Sequence, residues 1–131
     1  MGAEVESSTS SPADLHRLWL AAMNRGDLEG LMNLYEPEAV MVLDPAKPAL
    51  EGRSAIRDAL RPHVEAGATV ANATSGVLVA GELAYLRSSW RLTTPTAGHE
   101  PTVIAGEGVE VARRQQDGTW LLVIDHTHGA T

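Results

Sequence analysis

Between Trp19 and Pro45 the chain reads WLAAMNRGDLEGLMNLYEPEAVMVLDP. Apolar residues recur at helical spacing through Leu15, Leu18, Trp19, Ala22 and Met23, which is one face of an amphipathic helix. Ser11-Pro12-Ala13-Asp14 supplies its start, with Ser11 as N-cap and Pro12 at the first helical position. Asn24-Arg25-Gly26 ends it. Asp27 is placed to cap a second, shorter helix whose apolar stripe is Leu28, Leu31 and Leu34-Tyr35. Glu36-Pro37-Glu38 breaks that helix, and the apolar run Ala39 to Leu43 predicts a buried strand ending at Asp44-Pro45.

Outward from this stretch, Gly52-Arg53-Ser54 opens a third helix with Ile56, Ala59, Leu60, His63 and Val64 on its apolar face. Pro62 predicts a kink or an early end there, because it lacks a helix donor and crowds the preceding turn. From residue 68 the period changes from that of a helix to that of a strand. Strands are expected near 69–79, 82–93, 101–114 and 119–127, with hairpin turns at Gly81-Glu82 and Asp117-Gly118. Helices first and a meander of long strands after them is an α+β order, expected as one domain over residues 12–131. Residues 1–11 are acidic and Ser/Thr-rich and read as a disordered leader.

Bulk composition excludes several classes of function. A chain of 131 residues with 44% hydrophobic residues can bury a core unaided. It has no cysteine, which removes disulfides, thiolate metal sites and cysteine nucleophiles. Seventeen acids against ten bases give a net charge of −7, a field that repels nucleic-acid phosphates and anionic membranes. The N-terminus lacks the basic and apolar regions of a signal peptide and no apolar run approaches a span, so a cytoplasmic protein is expected. No Gly-rich phosphate loop, GxSxG elbow or HExxH is present, and Gly106-Glu107-Gly108 lacks the third glycine of a dinucleotide site.

The candidate chemistry rests on acids. Asp44, at the end of a buried strand beside a rigid proline, would occupy a partly apolar site of the kind that raises a carboxyl pKa. The alternative is an Asp-Pro turn with no further role. A two-residue Asp117-Gly118 turn sets Glu110 opposite Asp125, on one face with Ala112, Leu121 and Val123. Like charges so placed must share a proton, bind a cation or stay well solvated.

The same pairing puts Val109 opposite His126 and Glu107 opposite His128. A histidine–carboxylate metal site there competes with a solvated chain end, and no metal is assigned. Trp19 is a core ring whose indole N–H can also point at a ligand. Tyr35, His63, Trp90 and His126 are the other rings expected against a ligand, the alternatives being a satisfied edge histidine for His63, a core or interface ring for Trp90 and a solvated chain end for His126.

Three segments, AAMNRGDLEGLMNLY (21–35), GRSAIRDAL (52–60) and GVEVARRQQDGTWLLVIDH (108–126), resemble the ketosteroid isomerase-like, or SnoaL-like, branch of the nuclear transport factor 2-like superfamily. The resemblance spans most of residues 12–128. It implies a cystatin-like cone, a curved mixed or antiparallel sheet wrapped around three N-terminal helices with a pocket in its mouth. It implies a homodimer through the sheet's outer face, which Tyr85, Arg87 and Arg91 would suit. By position, Asp44 falls where those isomerases keep a general base and Glu110 near their oxyanion-donating acid. Trp19 falls where they place a tyrosine. Indole is no acid of comparable strength, which argues against the same steroid reaction and leaves a related enolisation or cyclisation.

The expected function is therefore acid–base chemistry on a small apolar carbonyl compound, without a cofactor. Asp44 would be the base, with Glu110, Trp19 or both at the oxyanion. The rivals are a non-catalytic ligand-binding or dimerisation module, and a hydrolase or dehydratase in which Asp44 or Asp125 activates water.

Overall fold

A computed structural model describes residues 9–131. Among these residues three helices, α1 (Asp14–Asn24), α2 (Leu28–Met32) and α3 (Arg53–Glu65), pack on one mixed sheet. Its strands are β1 (Tyr35–Val42), β2 (Leu50–Glu51), β3 (Thr69–Ala80), β4 (Leu83–Thr96), β5 (His99–Arg114) and β6 (Trp120–His126). They lie in the order β2-β1-β6-β5-β4-β3, and the sheet is open. Only β1 and β6 run parallel; every other neighbouring pair is antiparallel. The α+β architecture predicted by the helix-then-strand order is the one observed.

Local chemistry explains the elements. Asp27 caps α2 by accepting from the Gly30 N–H at 2.9 Å, and that bond, with Arg25 beside it, holds its carboxyl below the ordinary range. At the start of α1 the roles differ from expectation. The carboxylate of Asp14 accepts from the Ser11 N–H at 3.0 Å, and the Ser11 side chain makes no cap bond. Gly81 sits at φ 59° in a two-residue turn between Ala80 and Leu83, a conformation that favours glycine. Thr9, inside the segment read as a leader, is buried and accepts from the Trp120 N–H; residues 1–8 lie outside the described residues.

Three boundaries depart from the sequence reading. β1 begins at Tyr35, four residues early, and passes through Pro37 where its register against β6 is irregular, the kind of place a strand tolerates proline. Pro62 falls in the last turn of α3, where it forfeits a single backbone bond, so the helix runs on to Glu65. β4 and β5 extend past the predicted ends to a tight turn at Ala97-Gly98, joined by the Thr96–His99 pair.

The core lies between the helices and the inner sheet face. Leu15, Met23, Leu31, Met32, Ile56 and Leu60 from the helices meet Tyr35, Met41, Leu86, Ala112 and Leu122 from the strands, all essentially inaccessible. Ile56 fastens α3 in this layer. Replacing it with alanine is expected to lower unfolding stability by about 2–5 kcal/mol, measured by chemical denaturation.

Candidate acid–base site

The inner face of the β4–β5–β6 ladder carries the site. Glu110 pairs directly with Asp125 across β5 and β6, and both are buried, at 5% and 7% exposure. The route to that pairing differs from the expected two-residue turn. The loop holds three residues, closed by the Gln115 N–H to the Thr119 carbonyl at 2.7 Å. A bulge at Val123 then restores the register, since Val111 pairs with Ile124 but Ala112 with Leu122. The bulge also corrects the faces. Asp125 shares the buried side with Trp120 and Leu122, not with Leu121 and Val123, while Ile124 turns outward.

Each acid has its own set of partners. Glu110 Oε1 is hydrogen-bonded to His16 Nε2, projected from α1. The hydroxyl of Ser88, on β4, donates to Glu110 Oε2 at 3.1 Å. His16 is itself 8% exposed, and its Nδ1 lies 2.6 Å from Thr74 Oγ1 on β3. The Asn72 side chain donates to the His16 carbonyl at 3.1 Å. Gly108 makes room for this cluster: a Cβ there would lie 2.6 Å from Glu110 Oε2 and 2.9 Å from Ser88 Oγ.

Asp125 Oδ2 accepts from the Tyr35 hydroxyl at 2.7 Å, and that hydroxyl accepts from Trp19 Nε1 at 2.8 Å. Burial pushes the Tyr35 phenol well above its usual range, so it stays a donor. Burial first, and then the Glu110 charge, push Asp125 from 3.8 up to about 7; the Tyr35 bond and His16 oppose the shift without cancelling it. Ionising Asp125 beside the Glu110 charge is the costly state, because burial removes the water that would screen the two.

A cavity of about 470 Å³ opens onto these acids. Its inner end holds His16, Ser88, Glu110 and Asp125, and its apolar walls include Met23, Met41, Leu60 and Leu92. Exposed Asp44, Lys47 and Ile104 stand at its mouth.

The sequence-predicted residues fall into three groups. Glu110 and Asp125 come together at the inner end, and His63 and Trp90 line the walls. Trp90 is fixed by donating to the Thr127 carbonyl at 2.7 Å. Asp44 is at the rim instead of in an enclosed site: it is exposed, two residues past β1, with Oδ1 accepting from the Ala46 N–H at 2.9 Å. That bond is the turn chemistry of an Asp-Pro pair.

Trp19 lines the cavity, but its N–H is engaged by Tyr35 and unavailable to an oxyanion. Tyr35 lies behind Asp125, outside the lining. His126 also lies outside the lining, on the other side of the sheet from Asp125, because strand neighbours alternate. His128 turns the opposite way, with its ring 5.2 Å from Trp90 in an edge contact, so the two histidines share no face. Among the described residues no group of three or more His, Asp or Glu could hold a metal ion.

His16, Ser88 and Thr74 were not singled out from the sequence. His16 stands three residues before Trp19, and Ser88 shares the Leu86–Trp90 strand face, so periodicity places both inward. A polar residue on a predicted inner face was the available signal.

The SnoaL-like domain profile matches residues 16–123. The chain belongs to the SnoaL-like family. Solved structures with the same fold include a conserved protein from Planctomyces limnophilus, at TM-score 0.80 and 20% identity over 88% of this chain and 90% of that one. Another is a ketosteroid isomerase-like protein from Erwinia carotovora atroseptica, at TM-score 0.74 and 21% identity over 89% and 92%. A third, proposed to be a dehydratase of the NTF2-like family, comes from Streptomyces avermitilis, at TM-score 0.69 and 20% identity over 95% of each chain. At these identities the likeness is one of fold. No curated protein sequence matches. No helix among the described residues is long and apolar enough to cross a membrane.

The raised Asp125 pKa has a definite sign in stability. The folded protein holds this proton more tightly than the unfolded chain, so the contribution is full below about pH 4 and is lost as pH rises through about 7. The loss is on the order of 4 kcal/mol. Denaturation of the wild type and Asp125→Asn across this range should show a difference in stability that grows in favour of the variant up to neutral pH and then levels off.

Proposed function

We propose that this SnoaL-like protein catalyses a cofactor-independent proton transfer on a small apolar carbonyl compound, with Asp125 as the proton carrier. The observation that carries the reading is the direct pairing of two buried carboxyls, Glu110 and Asp125, at the inner end of an apolar cavity. A group titrating near 7 is populated both as base and as acid at neutral pH, which suits removal and return of one proton. Asp125 Oδ2 is held by Tyr35, and Oδ1, with no protein partner among the described residues, is the oxygen left for a ligand.

In the proposed step ionised Asp125 takes the proton from the carbon beside the carbonyl. The C–H electron pair moves into the adjoining C–C bond, and the carbonyl π pair onto oxygen. The resulting Asp125 carboxylic acid then returns the proton at the second carbon of an isomerising substrate. Glu110, secured by His16 and Ser88, keeps a negative charge near Asp125 and so strengthens it as a base. The test is deuterium uptake beside the carbonyl, followed by proton NMR across a panel of apolar ketones and β-keto esters. Asp125→Asn is expected to slow uptake by about 10²–10⁴-fold, and Asp44→Asn to leave it unchanged. Bound ketone with no uptake in the wild type would instead mark a ligand-binding module.

The same proposal includes a homodimer through the outer sheet face. Leu78, Tyr85, Val111 and Ile124 are successive cross-strand partners, forming an apolar row across four strands. Leu78 is 70% exposed, and Tyr85 and Ile124 are exposed with it. Arg87, Arg91 and Glu107 occupy neighbouring outward positions, so a second copy in two-fold orientation offers charges of both signs to match. Sedimentation should give a dimer for the wild type and a monomer for Tyr85→Glu, with the far-UV spectrum unchanged.

A further inference from the structure

Beneath the acid pair a chain of hydrogen bonds leaves the cavity by the back. Glu110, buried with 5% exposure, meets His16 through Nε2; the opposite nitrogen of the same ring, Nδ1, meets Thr74 Oγ1 at 2.6 Å. Thr74 is exposed on β3, an edge strand of the sheet. The mouth of the cavity lies elsewhere, at Asp44, Lys47 and Ile104, six residues along β5 from Glu110 in the case of Ile104. That is a distance of about 20 Å along an extended strand. A bound apolar ligand would fill the path to the mouth and leave the path through His16 open.

From this geometry we infer that His16 and Thr74 form a proton relay between the buried carboxyls and solvent, separate from the ligand entrance. Imidazole is suited to the task because it can accept a proton at one nitrogen while releasing another from the second. The threonine hydroxyl both donates and accepts, so it passes the proton to water without a net change of its own. When Glu110 receives a proton it passes one to Nε2 of the Nδ1–H tautomer, Nδ1 releases its own to Thr74, and Thr74 releases one to bulk water; the ring is left as the Nε2–H tautomer, and a proton moving inward from Thr74 to Nδ1 and from Nε2 to Glu110 restores it. The groups facing His16 are Thr74 and Asn72 from β3 and Glu110 from β5, with Ser88 on β4 and Asp125 on β6 completing the cluster. Thr74 is here a positioning and relay residue and does not touch the reacting atoms.

The relay rests on the reading that the carboxyl pair handles protons, yet its test needs no turnover. In protein labelled with ¹⁵N-histidine, transfer of saturation from water to the His16 ring N–H gives the exchange rate directly. The wild-type rate should persist when the cavity is filled with N-phenyl-1-naphthylamine, a neutral apolar probe whose fluorescence reports its entry. Thr74→Val should slow exchange by about tenfold or more, the effect of losing one well-placed hydrogen bond. Thr74→Ser should restore it. An unchanged rate in Thr74→Val, read in the empty protein, overturns the relay, as does a wild-type rate that collapses when the probe enters. Failure of every ketone to exchange deuterium would remove the proposed reaction and leave this result standing.

Discussion

Two carboxyl groups buried face to face are the constraint around which the molecule is arranged. Charges that close repel, and burial removes the water that would screen them. The fold answers with different partners for each acid. Glu110 receives an imidazole and a serine hydroxyl, and Asp125 receives a phenol backed by an indole. Those partners come from α1, β1 and β4, so the pair is surrounded by elements distant in sequence. The helix layer therefore does more than cover the sheet: α1 alone delivers His16 to Glu110 and Trp19 to the tyrosine that holds Asp125.

The division between the partners makes chemical sense. Glu110 has hydrogen bonds at both oxygens, whereas Asp125 keeps one oxygen for the cavity. Glu110 is therefore fixed in place, and Asp125 is left with an oxygen that can meet a ligand. Apolar walls of Met41, Leu60 and Leu92 keep the local dielectric low, so that each carboxyl feels the other's charge. The arrangement is costly to folding near neutrality, and such costs gather where a site is prepared for work.

Sequence pattern disclosed the architecture more readily than the site. Helical spacing from Leu15 to Met23 and the change of period after residue 68 both report burial on one face, which is what packing selects. The Glu110–Asp125 pairing was legible only because two departures cancelled, a longer turn at Gln116–Gly118 and a bulge at Val123. Neither has a strong local signature, since a bulge is stabilised by what the sheet packs on. Asp44 lines the cavity as an exposed residue, and its expected enclosure was not legible for the converse reason. A strand end beside proline looks enclosed in one dimension, and only the path of the β1–β2 connection shows that it is exposed. His16 escaped notice because helix propensity says nothing about which polar residue meets a partner 94 positions away.

The position of β6 has a consequence for how the chain comes into being. It is the last strand in the sequence and yet lies in the interior of the sheet, between β1 and β5. While the polypeptide is still leaving the ribosome, β1 has no neighbour on that side and the helices have half a floor. The sheet is completed only once β6 has emerged, by a parallel pairing between β1 and β6, which lie far apart in the sequence. Long-range closure of this kind is slow. Until it occurs, the nascent chain shows its apolar strand faces to whatever chaperone or other chain is near.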